Sequence, residues 1–172
     1  MPAMRISGRV LPVLLASFVL SGGSLAAQRP TADADRAVRA VITAVFSAQE
    51  RGDMAALDTL YAGEALTIFE GAGVNRGWAD YRDHHLGPEL KEMKEFRYRP
   101  IEIDVHVDGA TAWATVSYAL QAKMGDRAVD NFGRGTVILE RKGSGTTGRW
   151  VVRHSHTASR ARRASDPPMP GA

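Results

Sequence analysis

The 172-residue chain contains no cysteine. A disulfide framework and a lipid-attachment cysteine are therefore both excluded, and a folded domain of about 130 residues must be held by its apolar core, which that length can supply. Also missing is an apolar run long enough to serve as a comfortable membrane span, which takes about 20 residues. The apolar stretch from Val10 to Leu20 is shorter. It follows Arg5 and Arg9 with no acid between, and precedes the small-residue segment Ser21-Gly22-Gly23-Ser24-Leu25-Ala26-Ala27. That order is the one of a secretory signal peptide. The expectation is a signal over residues 1–27, cleavage after Ala26 or Ala27, and an exported (periplasmic or secreted) protein without a stable membrane anchor. Arg5 and Arg9 are not adjacent, which argues against a twin-arginine signal. The chain also lacks a basic cluster on its folded part. The net charge of +3 sits at the ends, on Arg5 and Arg9 and on Arg160, Arg162 and Arg163 against Asp166, so the core is close to neutral. A nucleic-acid surface would need those charges on the domain, so none is expected. No internal repeat is visible.

What is present reads as one α+β domain. Residues 28–32 form a linker, 33–159 the domain, and 160–172 a disordered tail rich in Arg, Pro and Gly. Val38, Val41, Ile42, Val45 and Phe46 recur at i, i+3, i+4, i+7 and i+8, the stripe of an amphipathic helix that Gly52 ends. Asp53 caps a shorter helix to Tyr61. A short strand over 66–70 leads to the turn Gly71-Ala72-Gly73. A helix over 78–86 is interrupted at Gly87-Pro88 and continues to Lys94. Beyond it the period changes to two: strands over 96–107, 110–123, 130–141 and 149–159, with turns at Asp108-Gly109 and Gly125-Asp126. Helices followed by a meander of long strands give three N-terminal helices packed on a strongly curved antiparallel sheet, a cone with a central pocket.

The last strand carries the most compact chemical signal. In strict alternation Trp150, Val152, His154 and His156 share one face, which would line a pocket with an apolar floor and a polar mouth. Its imidazoles could bind a ligand or relay a proton. No metal and no cofactor is expected, because no recognised metal-ligand spacing is present; a third ligand would have to come from His84 or His85. Trp78, Tyr81 and His85 fall at i, i+3 and i+7, one stripe over the pocket, with core packing the plainer reading for Trp78. Asp80 and His84, at i and i+4, form a surface pair. Tyr118 projects a phenol from an alanine-rich wall. Arg134 stands between Gly133 and Gly135, which mark a bulge or a close backbone approach and leave its face open.

The helical start, Gly77-Trp78-Ala79-Asp80-Tyr81-Arg82, the hairpin Val107-Asp108-Gly109-Ala110-Thr111-Ala112, and the ending from Gly148 to Thr157 together resemble the nuclear transport factor 2-like superfamily. The nearest resemblance is to its polyketide-cyclase-like branch, over about residues 33–159. The resemblance implies a cone with a pocket and a dimer through the outer sheet face. It does not imply one function, which must be argued from the site. In ketosteroid-isomerase-like members the base is a carboxylate at the end of the strand corresponding to 66–70, and Glu70 matches it. The chain departs from that pattern in its first helix, which offers Thr43 and Ser47 but no tyrosine for a developing oxyanion.

Three readings follow. In the first, the protein binds a small, mostly apolar molecule in a pocket lined by Trp78, Tyr81, His85, Tyr118, Arg134 and Trp150. In the second, Glu70, His154 and His156 are catalytic in an isomerase-, cyclase- or dehydratase-type proton transfer. In the third, the face bearing Trp113, Thr115 and Ser117 makes a homodimeric assembly module without catalysis.

Overall fold

The computed structural model describes the backbone of residues 25–143 and 148–171, and side chains from residue 32 onward within those spans. The signal expected over 1–27 lies outside the described residues up to 24. Helix α1 runs over Leu25–Arg51. The linker expected over 28–32 is thus part of a helix, consistent with the strong helix formers Leu25, Ala26, Ala27 and Gln28 at its start. Its stripe behaves as the spacing requires: Val38, Ile42, Val45 and Phe46 are buried, and Val41 packs against them. Helix α2, Met54–Leu60, is capped by Asp53, whose side chain accepts the Ala56 N–H. Helix α3, Trp78–Tyr81, continues through a π turn at Arg82–Leu86 into helix α4, Gly87–Glu92. Gly87-Pro88 therefore does not interrupt the rod; Pro88, with no N–H to donate back along it, directly follows the π turn in the first turn of α4.

Six strands form one curled sheet: β1 Thr67–Glu70, β2 Gly73–Arg76, β3 Met93–Asp108, β4 Thr111–Met124, β5 Arg127–Lys142 and β6 Arg149–Ala161, in the order β2-β1-β6-β5-β4-β3. The sheet is mixed rather than wholly antiparallel, because β1 runs parallel to β6. It is not closed, and the helices pack on its inner face. The inner-facing Ala112, Ala114 and Val116 of β4 and Leu139 of β5 are buried against them. The β3–β4 turn is Gly109-Ala110, one residue later than expected, with Asp108 paired to Thr111.

Three irregularities interrupt the ladders, the first in β3 between Lys94 and Arg97. β3 shifts register between Pro100 and Glu102, leaving Ile101 unpaired, at a proline that has no N–H to give the ladder. β6 shifts between the pairs Ile138–His154 and Leu139–Val152, so Arg153 is an extra residue. A bulge of one residue reverses the alternation beyond it.

The chain after β6 is held against the domain as far as Gly171. Arg160 pairs with Asp166 at 2.7 Å, Arg162 with Asp130 at 2.7 Å, and Arg99 donates to the Pro170 carbonyl at 2.9 Å. Met169 is buried. The expectation of disorder from composition fails here because the segment's arginines find fixed partners and its methionine finds a groove.

Candidate active site at the cavity mouth

The Arg153 bulge decides what faces the interior. Val152 points in, but beyond the bulge Ser155 and Thr157 take the inward positions and line a cavity of about 70 Å³. His154 and His156 turn to the outer face, where both meet Phe69 edge-on at ring distances of 5.1 and 5.8 Å. His156 is exposed and lies in an outer groove with Thr136 and Arg134. The inward placement expected for both histidines is corrected accordingly.

Parallel pairing to β6 places Ile68 beside Ser155 and Glu70 beside Thr157, so Glu70 reaches the cavity from the end of β1. The helical rod over 78–92 crosses the mouth. Its π turn carries His85, and Glu89 follows one turn later on the same side; π turns of this kind concentrate at functional sites. His85 Nε2 lies 3.6 Å from Glu70 Oε2 and 3.3 Å from Glu89 Oε1. Its Nδ1 lies 2.8 Å from Asn75 Oδ1, on β2. Asn75 Nδ2 donates to Asp80 Oδ2 at 3.1 Å, an oxygen that also accepts the Arg76 backbone N–H at 3.0 Å.

Although 41% of the Glu70 side chain is exposed at the mouth, its carboxyl pKa is raised. Loss of hydration is the largest cause, repulsion from Glu89 adds to it, and His85 opposes both. Asp80 is shifted the other way, held ionised by the Arg76 N–H and by Asn75. The cavity wall is aromatic, with Phe46, Tyr61, Tyr81, Phe96 and Tyr98 among its lining. Burial pushes the Tyr81 and Tyr98 phenols well above their ordinary value and Tyr118 up to about 12, so at neutral pH each remains a donor. The Tyr61 hydroxyl accepts from Gln49 at 2.8 Å. The Tyr81 hydroxyl has no protein partner among the described residues. No buried side-chain polar atom there lacks one, so this hydroxyl opens to the cavity. Among the described residues, the only charged side chains in the lining are Glu70 and Glu89.

The remaining expectations divide. Tyr81 lines the cavity, and His85 stands directly behind its two carboxylates. Trp78 does not line it: the indole is buried against Tyr61 at 4.9 Å and donates to Asp58. Trp150 is core, beneath the Arg141 guanidinium. Tyr118 packs behind Tyr98 at 5.1 Å, its ring over Gly133, where a Cβ would come within 2.1 Å of it. Gly133 and Gly135 are therefore close approaches, not a bulge, and β5 pairs continuously through them. Arg134 consequently faces outward, over the Phe132 ring at 5.6 Å.

The family model described as a SnoaL-like domain matches residues 38–160. The chain belongs to this family. Solved structures similar to this SnoaL-like domain agree in fold. A candidate ketosteroid isomerase from Shewanella frigidimarina NCIMB 400 is 24% identical, with a TM-score of 0.58 over 68% of this chain and 90% of its own. A candidate dehydratase of the nuclear transport factor 2-like family from Streptomyces avermitilis is 20% identical, with a TM-score of 0.65 over 77% and 99%. A nuclear transport factor 2-like superfamily protein from Salmonella enterica serovar Typhimurium LT2 is 16% identical, with a TM-score of 0.67 over 80% and 99%. No curated protein matches the chain.

Sequence reasoning missed Asn75, Glu89, Tyr61 and Tyr98 of this SnoaL-like domain. The i, i+4 spacing of His85 and Glu89 was a usable signal. Asn75 had none, because the pattern marks no element between the turn at residues 71–73 and the helix from 78.

Proposed function

We propose that this SnoaL-like domain admits a compact, mostly apolar molecule to its cavity and exchanges a proton with the molecule's polar end through Glu70, supported by His85. The observation that carries this is one aromatic cavity lined by Glu70 and by Tyr81, whose hydroxyl has no protein partner among the described residues, with the His85 ring behind the Glu70 carboxylate. A carboxylate whose pKa is raised toward neutrality suits proton removal beside a carbonyl, and a neutral phenol suits donation to the oxyanion that develops. Isomerisation and dehydration both start from such a step, and the names of two similar structures point to those reactions. At about 70 Å³ the cavity has room for roughly five waters, so the molecule is small.

Deuterium exchange at the α-carbons of cyclohexanone and 2-cyclohexenone, followed by NMR in D₂O, tests the reading without knowledge of the natural substrate. The protein should accelerate exchange over buffer, and Glu70→Gln should remove about 10²-fold or more of that acceleration. Exchange at the buffer rate, or acceleration that survives Glu70→Gln, would refute it.

A homodimer through the outer sheet face is proposed alongside. Trp113 is 45% exposed there and stacked on His106 at 4.0 Å, a large aromatic left open to solvent. Light scattering should report a dimer that Trp113→Glu dissociates; a monomer at high concentration would reject it. Export after cleavage near Ala26 or Ala27 remains our proposal for where the protein works.

A further inference from the structure

The mouth of the cavity holds a feature that proton transfer by Glu70 does not by itself require: a fixed chain of hydrogen bonds on the far side of the His85 ring. It starts at Asp80. Both donors to Asp80 Oδ2 are N–H groups, the Arg76 backbone at 3.0 Å and the Asn75 amide at 3.1 Å. An ionised carboxylate only accepts, so the Asn75 side chain must present its NH₂ to Asp80 and its carbonyl oxygen to His85. That oxygen lies 2.8 Å from His85 Nδ1. It carries no hydrogen, so the hydrogen of this bond belongs to Nδ1. The other ring nitrogen, Nε2, then faces Glu70 and Glu89 as the site where a proton can arrive and leave. Asp80 Oδ1 is occupied separately by His84 Nδ1 at 3.1 Å, so the pair spaced i, i+4 on the helix surface uses one oxygen and the relay uses the other.

We propose that Asn75, anchored by Asp80, is a positioning residue that fixes His85 in its Nδ1–H tautomer and so reserves Nε2 for proton exchange with Glu70 at the cavity mouth. This rests on the reading of Glu70 as the proton acceptor. The proton balance closes. Glu70 takes a proton from the bound molecule and passes it to Nε2, giving an imidazolium with both nitrogens protonated. The Nε2 proton then leaves to Glu89 or to water and a proton from water returns by the same route to the bound anion, restoring the starting tautomer, while the other proton stays bonded to Nδ1, which donates it to Asn75 Oδ1 throughout. The same bond holds the ring plane. Tyr81 packs against it edge-on at 5.3 Å, so a ring flip would have to break both contacts. Second-neighbour hydrogen bonds that set the tautomer and orientation of a histidine are a recurring device wherever its free nitrogen does chemistry.

The tautomer is read directly by two-bond ¹H–¹⁵N spectra of ¹⁵N-histidine-labelled protein at about pH 9, where neutral imidazoles dominate for unperturbed histidines. The wild type should show His85 protonated on Nδ1 and bare on Nε2. Asp80→Asn frees the Asn75 amide to turn and should convert His85 to the other tautomer or to a mixture. Asn75→Ala should also give a mixture, whereas Asn75→Asp, whose carboxylate likewise only accepts, should retain the Nδ1–H form. An Nε2–H tautomer in the wild type, or a tautomer indifferent to both Asp80→Asn and Asn75→Ala, would overturn the assignment. Should either variant fail to fold, the wild-type spectrum still decides. No substrate enters this measurement, so it can fail while α-carbon exchange by Glu70 stands, and the reverse.

Discussion

Glu70 shows why a residue's chemistry depends on which neighbours the chain brings to it. By sequence it ends a short strand; in the fold its carboxyl loses hydration against an aromatic cavity and faces a second carboxylate on Glu89. A carboxyl whose folded pKa is raised binds its proton more tightly in the folded state than in the unfolded. Its contribution to stability is therefore intact below the unfolded value, near pH 4, and is lost as pH rises through the raised folded value. Glutamine has no proton to give up. Glu70→Gln should then melt with the wild type near about pH 4 and a few degrees above it near about pH 8, a trend that thermal denaturation across that range will show or deny. A constant offset at all pH values would mean that the carboxyl pays no cost for ionising in the fold. Glu50 provides the opposite case: Arg99 and the Tyr98 N–H hold its pKa low, and its support is lost as pH falls.

At the scale of elements, regular segments were readable and irregular ones were not. The five apolar positions of α1, the Asp53 cap and the four long strands all sit where spacing placed them, because period and capping are local properties. Glu70 stands out through the family resemblance, which marks the end of the short strand β1, and not through spacing. The π turn, the short strand β2 and the bulge at Arg153 carry no comparable local mark. Arg153 had the largest consequence. The residues from Trp150 to Val152 face as alternation says, and then a single unpaired residue exchanges His154 and His156 for Ser155 and Thr157 on the inner face. Nothing in the order Val152-Arg153-His154 announces it; the extra residue becomes visible only in the pairing of β6 with β5. The glycines of β5 are the converse, features that were noticed and then explained. Gly133 lies under the Tyr118 ring, which is itself wedged between Phe46 and Tyr98 at 5.8 and 5.1 Å. Gly133→Ala should cost about 1–3 kcal/mol by overpacking. Adding Tyr118→Ala should recover part of that in a double-mutant cycle by urea denaturation. Strictly additive losses would show that the two residues do not oppose each other.

For the molecule as a whole, the curled sheet and the rod over 78–92 divide charge unevenly. The chain carries 22 Lys and Arg and a net charge of +3, yet among the described residues the cavity is lined by two acids and no base. The basic side chains serve elsewhere: Arg99 ties α1 to β3 and to the tail, and Arg160 and Arg162 fold the tail back on the sheet. What remains inside is an aromatic hollow with two acids at its entrance and a histidine facing both. The claim that this entrance is built for proton exchange is tested most directly by the pH titration of the Glu70 side-chain carboxyl, followed by ¹³C NMR in the wild-type protein. The account predicts a midpoint above that of ordinary glutamates, with the His85 ring signals responding in the same step. A midpoint at the ordinary glutamate value, with His85 insensitive to it, would contradict it.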